Sequence, residues 1–222
     1  MSLIIDGKRY DIPGIQSACF LDNPKFGFTD KRDYSLRTGA PKSICLHTRM
    51  GVHPQKIVDS IPNRRWDELG VKRASSDDRN ASWHISVDAD GSFVCHLDCY
   101  RIAAHQASQL NQLSIGIEMY QTLEGEITKA TLATTVKIVN LLTEVLSIKR
   151  QYPITDKIDV RFASNSGSWH KTRKLAYMPK GESGTNWNGV FGHRNLTRNR
   201  GKGDPGDEIF KLLAAEGYEP IP

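Results

Sequence analysis

The sequence predicts an α/β domain built on one central mixed β-sheet flanked by helices. Three observations carry that prediction. Short apolar runs with period-two alternation recur near residues 44–47, 83–87, 93–97 and 114–120, which is strand patterning. A long segment from about residue 128 to 150 repeats apolar residues at helical spacing instead. Strands interleaved with helices, in a chain of 222 residues without internal repeats, fit one domain with a single sizeable core.

Taken in order, residues 1–42 are rich in Gly, Pro, Asp and Lys and show little periodicity beyond Leu3-Ile4-Ile5. They read as an irregular N-terminal arm with at most short strands, so the main domain is expected over 43–222. Ser43-Ile44-Cys45-Leu46-His47-Thr48 is an apolar strand ending in a histidine. A helix is expected over about 54–69, although Pro62 interrupts it. Trp83, Ile85 and Val87 alternate with His84, Ser86 and Asp88. After the turn Asp88-Ala89-Asp90-Gly91 the alternation resumes at Phe93, Cys95 and Leu97, giving a half-buried hairpin. In the next strand, Ile115, Ile117 and Met119 share one face while Gly116, Glu118 and Tyr120 share the other.

In the long helix, Leu132, Val136, Val139 and Leu146 form the stripe, widened by Ile138, Leu141, Leu142 and Val145. Thr128 is placed to cap its start, and Pro153 is expected to enforce its end. A second helix is expected over about 205–215, with Ile209, Leu212 and Leu213 facing inward and Gly217 as its stop. Between them, residues 162–188 form a Ser-, Gly- and Lys-rich excursion carrying Trp169, His170, Tyr177 and Trp187. An inserted loop of that length is expected to be a lid, a substrate wall or surface decoration.

Hydrophobic residues at 38% and charged residues at 25% match an ordinary globular protein, and no apolar run approaches the roughly 20 residues of a membrane span. The first residues, Met1-Ser2-Leu3-Ile4-Ile5-Asp6-Gly7-Lys8, lack a basic stretch followed by an apolar one, so synthesis in the cytoplasm is expected. A net charge of +5 favours anionic partners such as nucleic acid, membrane surface or wall polymer without choosing among them. Cys19, Cys45, Cys95 and Cys99 are too few, in too long a chain, to read as a disulfide framework, and are expected to be buried or free thiols.

The chemistry concentrates near the C-terminus, in Gly192-His193-Arg194-Asn195-Leu196 and Lys202-Gly203-Asp204-Pro205-Gly206. An imidazole and a carboxylate stand eleven residues apart, with a lysine two positions before the carboxylate. Zinc takes His nitrogen and Asp oxygen together, and a catalytic zinc keeps three protein ligands. His47, at the end of its strand, is the upstream candidate for the third. Such a metal lowers the pKa of water to about 7 and polarises a carbonyl.

His47, Ser82-Trp83-His84-Ile85-Ser86-Val87-Asp88, Ser114-Ile115-Gly116-Ile117-Glu118 and the run from His193 through Lys202-Gly203-Asp204-Pro205-Gly206 stand in the order found in one family. Over roughly residues 40–217 the chain resembles the zinc-dependent N-acetylmuramoyl-L-alanine amidases of the amidase-2 type, which share their fold with peptidoglycan recognition proteins and include many phage endolysins. The resemblance implies one zinc ion held by His47, His193 and Asp204, where some members have Cys at the third position. It implies Glu118 as the catalytic glutamate and Lys202 as the lysine that serves catalysis. His105 matches the histidine of a Trp-His-Ala-Gly stretch, but Ala104 stands where the Trp would be and the glycine is missing. His84 and His105 are the candidate substrate-binding residues.

The activity so implied is cleavage of the amide between N-acetylmuramic acid and L-alanine, with bacterial peptidoglycan as partner and neither nucleic acid nor membrane insertion expected. The chain would then act on the wall after release, through a holin if it is a phage product. Two alternatives stay open: a cytosolic amidase that recycles anhydro-muropeptides, and a non-catalytic peptidoglycan-binding module. A nucleic-acid-binding regulator would show clustered basic residues with interleaved aromatics, and the dense basic cluster of the 198–202 loop is already accounted for by the amidase reading.

Overall fold

The computed structural model of the protein describes residues 2–19, 21, 36–50, 82–103, 108–121, 126–154, 178–183, 185–196 and 204–222. The helix expected over about 54–69 lies outside them, as do residues 162–177 and 184 of the excursion. In chain order the strands are β1 (Leu3–Ile5), β2 (Lys8–Tyr10), β3 (Ser17–Cys19), β4 (Ser43–Met50), β5 (Ile85–Val87), β6 (Phe93–Cys95), β7 (Ser114–Gln121), β8 (Gln151–Pro153), β9 (Gly189–Gly192) and β10 (Glu219–Ile221). The helices are α1 (Ser108–Asn111), α2 (Lys129–Leu146), α3 (His193–Leu196) and α4 (Glu208–Ala215). Among the described residues no helix is long and apolar enough to cross a membrane.

The central sheet is mixed and six-stranded, in spatial order β3-β6-β5-β7-β4-β9, which is the expected architecture. β4 pairs in parallel with β7 on one side and β9 on the other; β5 is parallel to β7 and antiparallel to β6. β1 pairs with β2, and β10 runs parallel to β8, each outside this sheet. Residues 2–19 do more than decorate the fold. Leu3 and Ile5 are buried in the main core, and β3 is the edge strand beside β6.

One face of the sheet supplies Ile44, Leu46, Ile85, Val87, Ile115, Ile117, Met119 and Val190 to the core. They meet Leu132, Val136, Val139 and Leu142 of α2 and Ile209, Phe210 and Leu213 of α4. Burial of this apolar surface is the main favourable term in folding. Thr128 caps α2, its hydroxyl accepting from the Thr131 N–H at 3.1 Å. The helix stops six residues before Pro153. Ser147 takes the left-handed conformation (φ 55°, ψ 35°) and the Ile148 N–H donates to the Thr143 carbonyl at 3.1 Å, turning the chain so that Ile148 enters the core. Pro153 sits instead at the end of β8.

α2 is pinned to the β5–β6 turn by hydroxyls that helical periodicity does not reveal. Thr128, Thr131 and Thr134 donate to the carbonyls of Ala89, Asp88 and Gly91 at 2.6, 2.7 and 2.6 Å. The turn comes close because Gly91 has φ +82° and lacks a Cβ, which would lie 3.0 Å from the Ala130 carbonyl oxygen. The second helix begins at Glu208, later than expected, and its inward residues are Ile209, Phe210 and Leu213. Leu212 was expected to face inward but is 39% exposed, because it falls on the flank of that stripe.

Candidate metal centre

Parallel pairing decides which side chains can meet. Residues in register on neighbouring parallel strands project from the same face, and His47, Glu118 and Ser86 are in register across β4, β7 and β5. They form one row on the face opposite α2, toward the C-terminal ends of β4 and β7. On the other side of β4, Leu46 is in register with Gly192, the last residue of β9. The chain therefore delivers His193 beside His47 as it leaves the sheet into α3.

His47 and His193 face one another through their Nδ1 atoms at 2.9 Å, with ring centroids 4.5 Å apart. Asp204 Oδ2 lies 3.6 Å from His193 Nδ1. The other carboxylate oxygen, Oδ1, accepts from the Thr48 N–H at 2.8 Å, with the Thr48 hydroxyl 3.4 Å away. All three side chains are buried, and their donor atoms lie within 4.8 Å of one another. A tetrahedral site with metal–ligand bonds of about 2.0–2.1 Å has ligand–ligand edges of about 3.3 Å, so spacings of 2.9 and 3.6 Å bracket the requirement. Two imidazole nitrogens and a carboxylate oxygen are a donor set that could hold a divalent metal ion such as zinc.

Local structure keeps these groups in place. The Gly192 N–H donates to Asn195 Oδ1 at 2.9 Å, tightening the turn that carries His193. A Cβ on Gly192 would lie 2.7 Å from Pro205 Cδ, so glycine here lets the residue after Asp204 close against the end of β9. Behind β4, Trp187 packs on Cys45 and Phe191 in a second apolar cluster. That part of the excursion is thus built into the fold.

Glu118 is half-buried beside His47 in the row. Lys202 and His105 lie outside the described residues. The structure does not bring His84 to the cluster. Its ring is inaccessible, with Nδ1 accepting from the Gly116 N–H at 3.0 Å and Nε2 within 2.9 Å of the Arg101 carbonyl. Arg37 lies 3.1 Å from Nε2 and donates to the carbonyls of Cys99, Asn111 and Ser114 at 3.0, 2.9 and 2.7 Å. Burial lowers that guanidinium to about 10. His84 is thus a buried packing histidine, which alternation alone cannot distinguish from a pocket residue.

The hairpin expected to be half-buried is buried on both faces for a related reason. Ser86 accepts from Trp83 Nε1 at 2.6 Å and sits 2.7 Å from His96 Nε2, so its polar face is satisfied internally. All four cysteines are free and buried. A hydrogen bond with Cys19 together with burial raises the Cys95 thiol, and burial raises that of Cys99. Sequence reading missed Thr48, whose only signal was its place directly after His47.

A family model described as N-acetylmuramoyl-L-alanine amidase matches residues 38–207. No curated protein sequence matches the chain. Among solved structures, the Ph2119 endolysin from Thermus scotoductus MAT2119 bacteriophage Ph2119 aligns with a TM-score of 0.51 at 15% identity, covering 92% of this chain and 100% of that one. The ectodomain complex of peptidoglycan recognition proteins LCa and LCx, bound to tracheal cytotoxin, aligns with a TM-score of 0.52 at 12% identity, covering 92% and 98%. The amidase LysCS from Clostridium intestinale URNW aligns at 0.48 and 14% identity, covering 94% and 98%. At these identities the likeness is one of fold.

Proposed function

The chain belongs to the N-acetylmuramoyl-L-alanine amidase family, and from that membership we propose that it is a zinc-dependent hydrolase of the amide between N-acetylmuramic acid and the L-alanine of the peptidoglycan stem peptide. The observation that carries the reading is the convergence of His47 with the far-downstream pair His193 and Asp204 in one buried cluster with a metal-ligand donor set. These three would hold one zinc ion, which when bound supplies Lewis acidity toward water and an amide carbonyl.

The remaining chemistry belongs to the chain's own side chains. Glu118, in register with His47, is the carboxylate that takes a proton from the attacking water and returns it to the leaving amine. Lys202, two positions before Asp204, supplies an ammonium for the negative charge that develops on the carbonyl oxygen. Thr48 fixes the rotation of the Asp204 carboxylate through Oδ1 and leaves Oδ2 toward His193. His105 is the proposed substrate contact. Bacterial peptidoglycan is the proposed partner, reached after release from the cytoplasm in the manner of a phage endolysin with its holin.

The test is zinc analysis of the purified protein followed by incubation with peptidoglycan and assay for new N-terminal alanine. Metal-dependent appearance of alanine is the expected result. Sedimentation with peptidoglycan without alanine release would mean a binding module. Faster release from soluble anhydro-muropeptides than from sacculi would mean a recycling enzyme.

A further inference from the structure

Two of the three clustered side chains, His193 and Asp204, sit at the ends of one eleven-residue step of chain. Bringing the ends of such a loop together costs conformational entropy, which contacts made at its ends can offset. Arg194 is placed to hold it. Its backbone N–H donates to the Asp204 carbonyl at 3.0 Å. Its side chain leaves the site, passes with the guanidinium carbon 5.0 Å over the Phe210 ring, and donates from Nη2 to Asp207 Oδ1 at 2.8 Å. One residue thus ties the turn carrying His193 to both Asp204 and the start of α4.

The chemistry of the clamp is unusual for a packing residue. The Arg194 side chain is fully inaccessible, whereas that of Asp207 is 37% exposed. Burial lowers the Arg194 guanidinium, with the charge of Asp207 the main opposing influence. Asp207 stands at the N-cap of α4 yet makes no side-chain capping bond there; its carboxylate bonds Arg194 instead. An apolar side chain of similar length would fill the same volume without the cost of desolvating the Arg194 guanidinium, so an arginine buried here fits a device for fixing geometry better than one for adding stability. The planar fork also suits simultaneous stacking and bonding in a way lysine does not.

We propose that Arg194 is a positioning residue: its side-chain clamp onto Asp207, added to the backbone bond from position 194 to Asp204, presets the spacing of His193 and Asp204, so that the unloaded protein is already competent for metal. The inference rests on the zinc reading above. A chain that samples the competent geometry only part of the time binds with affinity reduced by that fraction.

The test is Arg194→Met, which keeps the aliphatic length and leaves no buried charge behind, since Asp207 can be solvated. Zinc dissociation constants would be measured by chelator competition, beside melts of the metal-free proteins and visible spectra of the cobalt-substituted forms. The expected result is a cooperative melt with a zinc dissociation constant raised about 10–100-fold and an altered cobalt spectrum. A cooperatively folded variant whose constant stays within about threefold of wild type would overturn the proposal, because a side chain that only fills space should not move metal affinity. If Arg194→Met does not fold, Asp207→Ala removes both the ion pair and its hydrogen bond from the exposed side, and an unchanged constant there overturns it equally. Wild-type protein that binds no zinc would overturn the metal reading itself, a result visible before any variant is made.

Discussion

Replacing Asp204 by Asn separates ligand from scaffold at a single atom. In the folded chain Oδ1 accepts the Thr48 N–H at 2.8 Å, while Oδ2 lies 3.6 Å from His193 Nδ1. Asparagine can keep the first contact, since its carbonyl oxygen can occupy the Oδ1 position. That places an NH2 group where Oδ2 was, and an amide nitrogen carrying two protons offers a metal no lone pair. The fold should therefore survive with a change of about 1 kcal/mol or less, the net worth of a typical hydrogen bond. Metal affinity should not survive. Zinc sites with four ligands bind with about 10–16 kcal/mol, or roughly 2.5–4 kcal/mol per ligand, so losing one corresponds to about a 10²–10³-fold rise in dissociation constant. The assay is chelator competition for zinc, paired with thermal melts of metal-free wild type and variant. Zinc binding within about threefold of wild type would refute the ligand assignment. A collapse of the metal-free melt would show instead that Asp204 serves the fold.

Glu118→Gln should retain zinc and lose about 10²–10⁴-fold in hydrolysis, read as alanine release; near-normal turnover would pass the proton to another group. Lys202→Ala should lower kcat and kcat/KM about equally with zinc content intact, whereas a salt-sensitive effect confined to KM would return it to a solvated basic loop. Gly91→Ala should cost about 1–3 kcal/mol in urea unfolding, because φ +82° disfavours an L-residue and the new Cβ would meet the Ala130 carbonyl at 3.0 Å; a neutral result would mean that the turn relaxes freely. Leu213→Ala should cost about 2–5 kcal/mol and Leu212→Ala under about 1, since the first is fully buried and the second is 39% exposed; equal costs would place α4 in a different rotation.

What could be read in the sequence follows how strongly each element writes its period. β4, β7, the β5–β6 hairpin and α2 carry long or clean patterns, and each is present where expected, although α2 ends at Leu146 rather than near 150 and the hairpin is buried on both faces. β9 is four residues, Gly-Val-Phe-Gly, too short and glycine-rich to announce a strand. Yet β9 is the element that sets His193 beside His47. The three residues of the cluster could be singled out in the sequence, while the reason they meet could not. His84 shows the converse. Alternation puts it opposite the apolar core residues, but that face of the sheet is covered too, and a polar side chain there is hydrogen-bonded rather than exposed.

The same topology bears on what metal would do for stability. Strands 43–50, 114–121 and 189–192 are distant in sequence but adjacent in one sheet, and their pairing is fixed by an apolar face packed on α2 and α4. The conformational entropy of bringing His47 and His193 together is therefore offset mainly by that core and its ladder of backbone hydrogen bonds. Small domains with a bound metal in place of a core unfold when it is chelated. A chain of 222 residues with an extensive core should instead stay folded without metal and gain only the linkage term set by metal concentration over dissociation constant. Chelation should thus abolish hydrolysis while leaving a cooperative melt, lowered by about 4 kcal/mol relative to protein held at a thousandfold excess of free zinc over its dissociation constant. A chain that unfolds at room temperature on chelation would show that the core described above does not close without its metal.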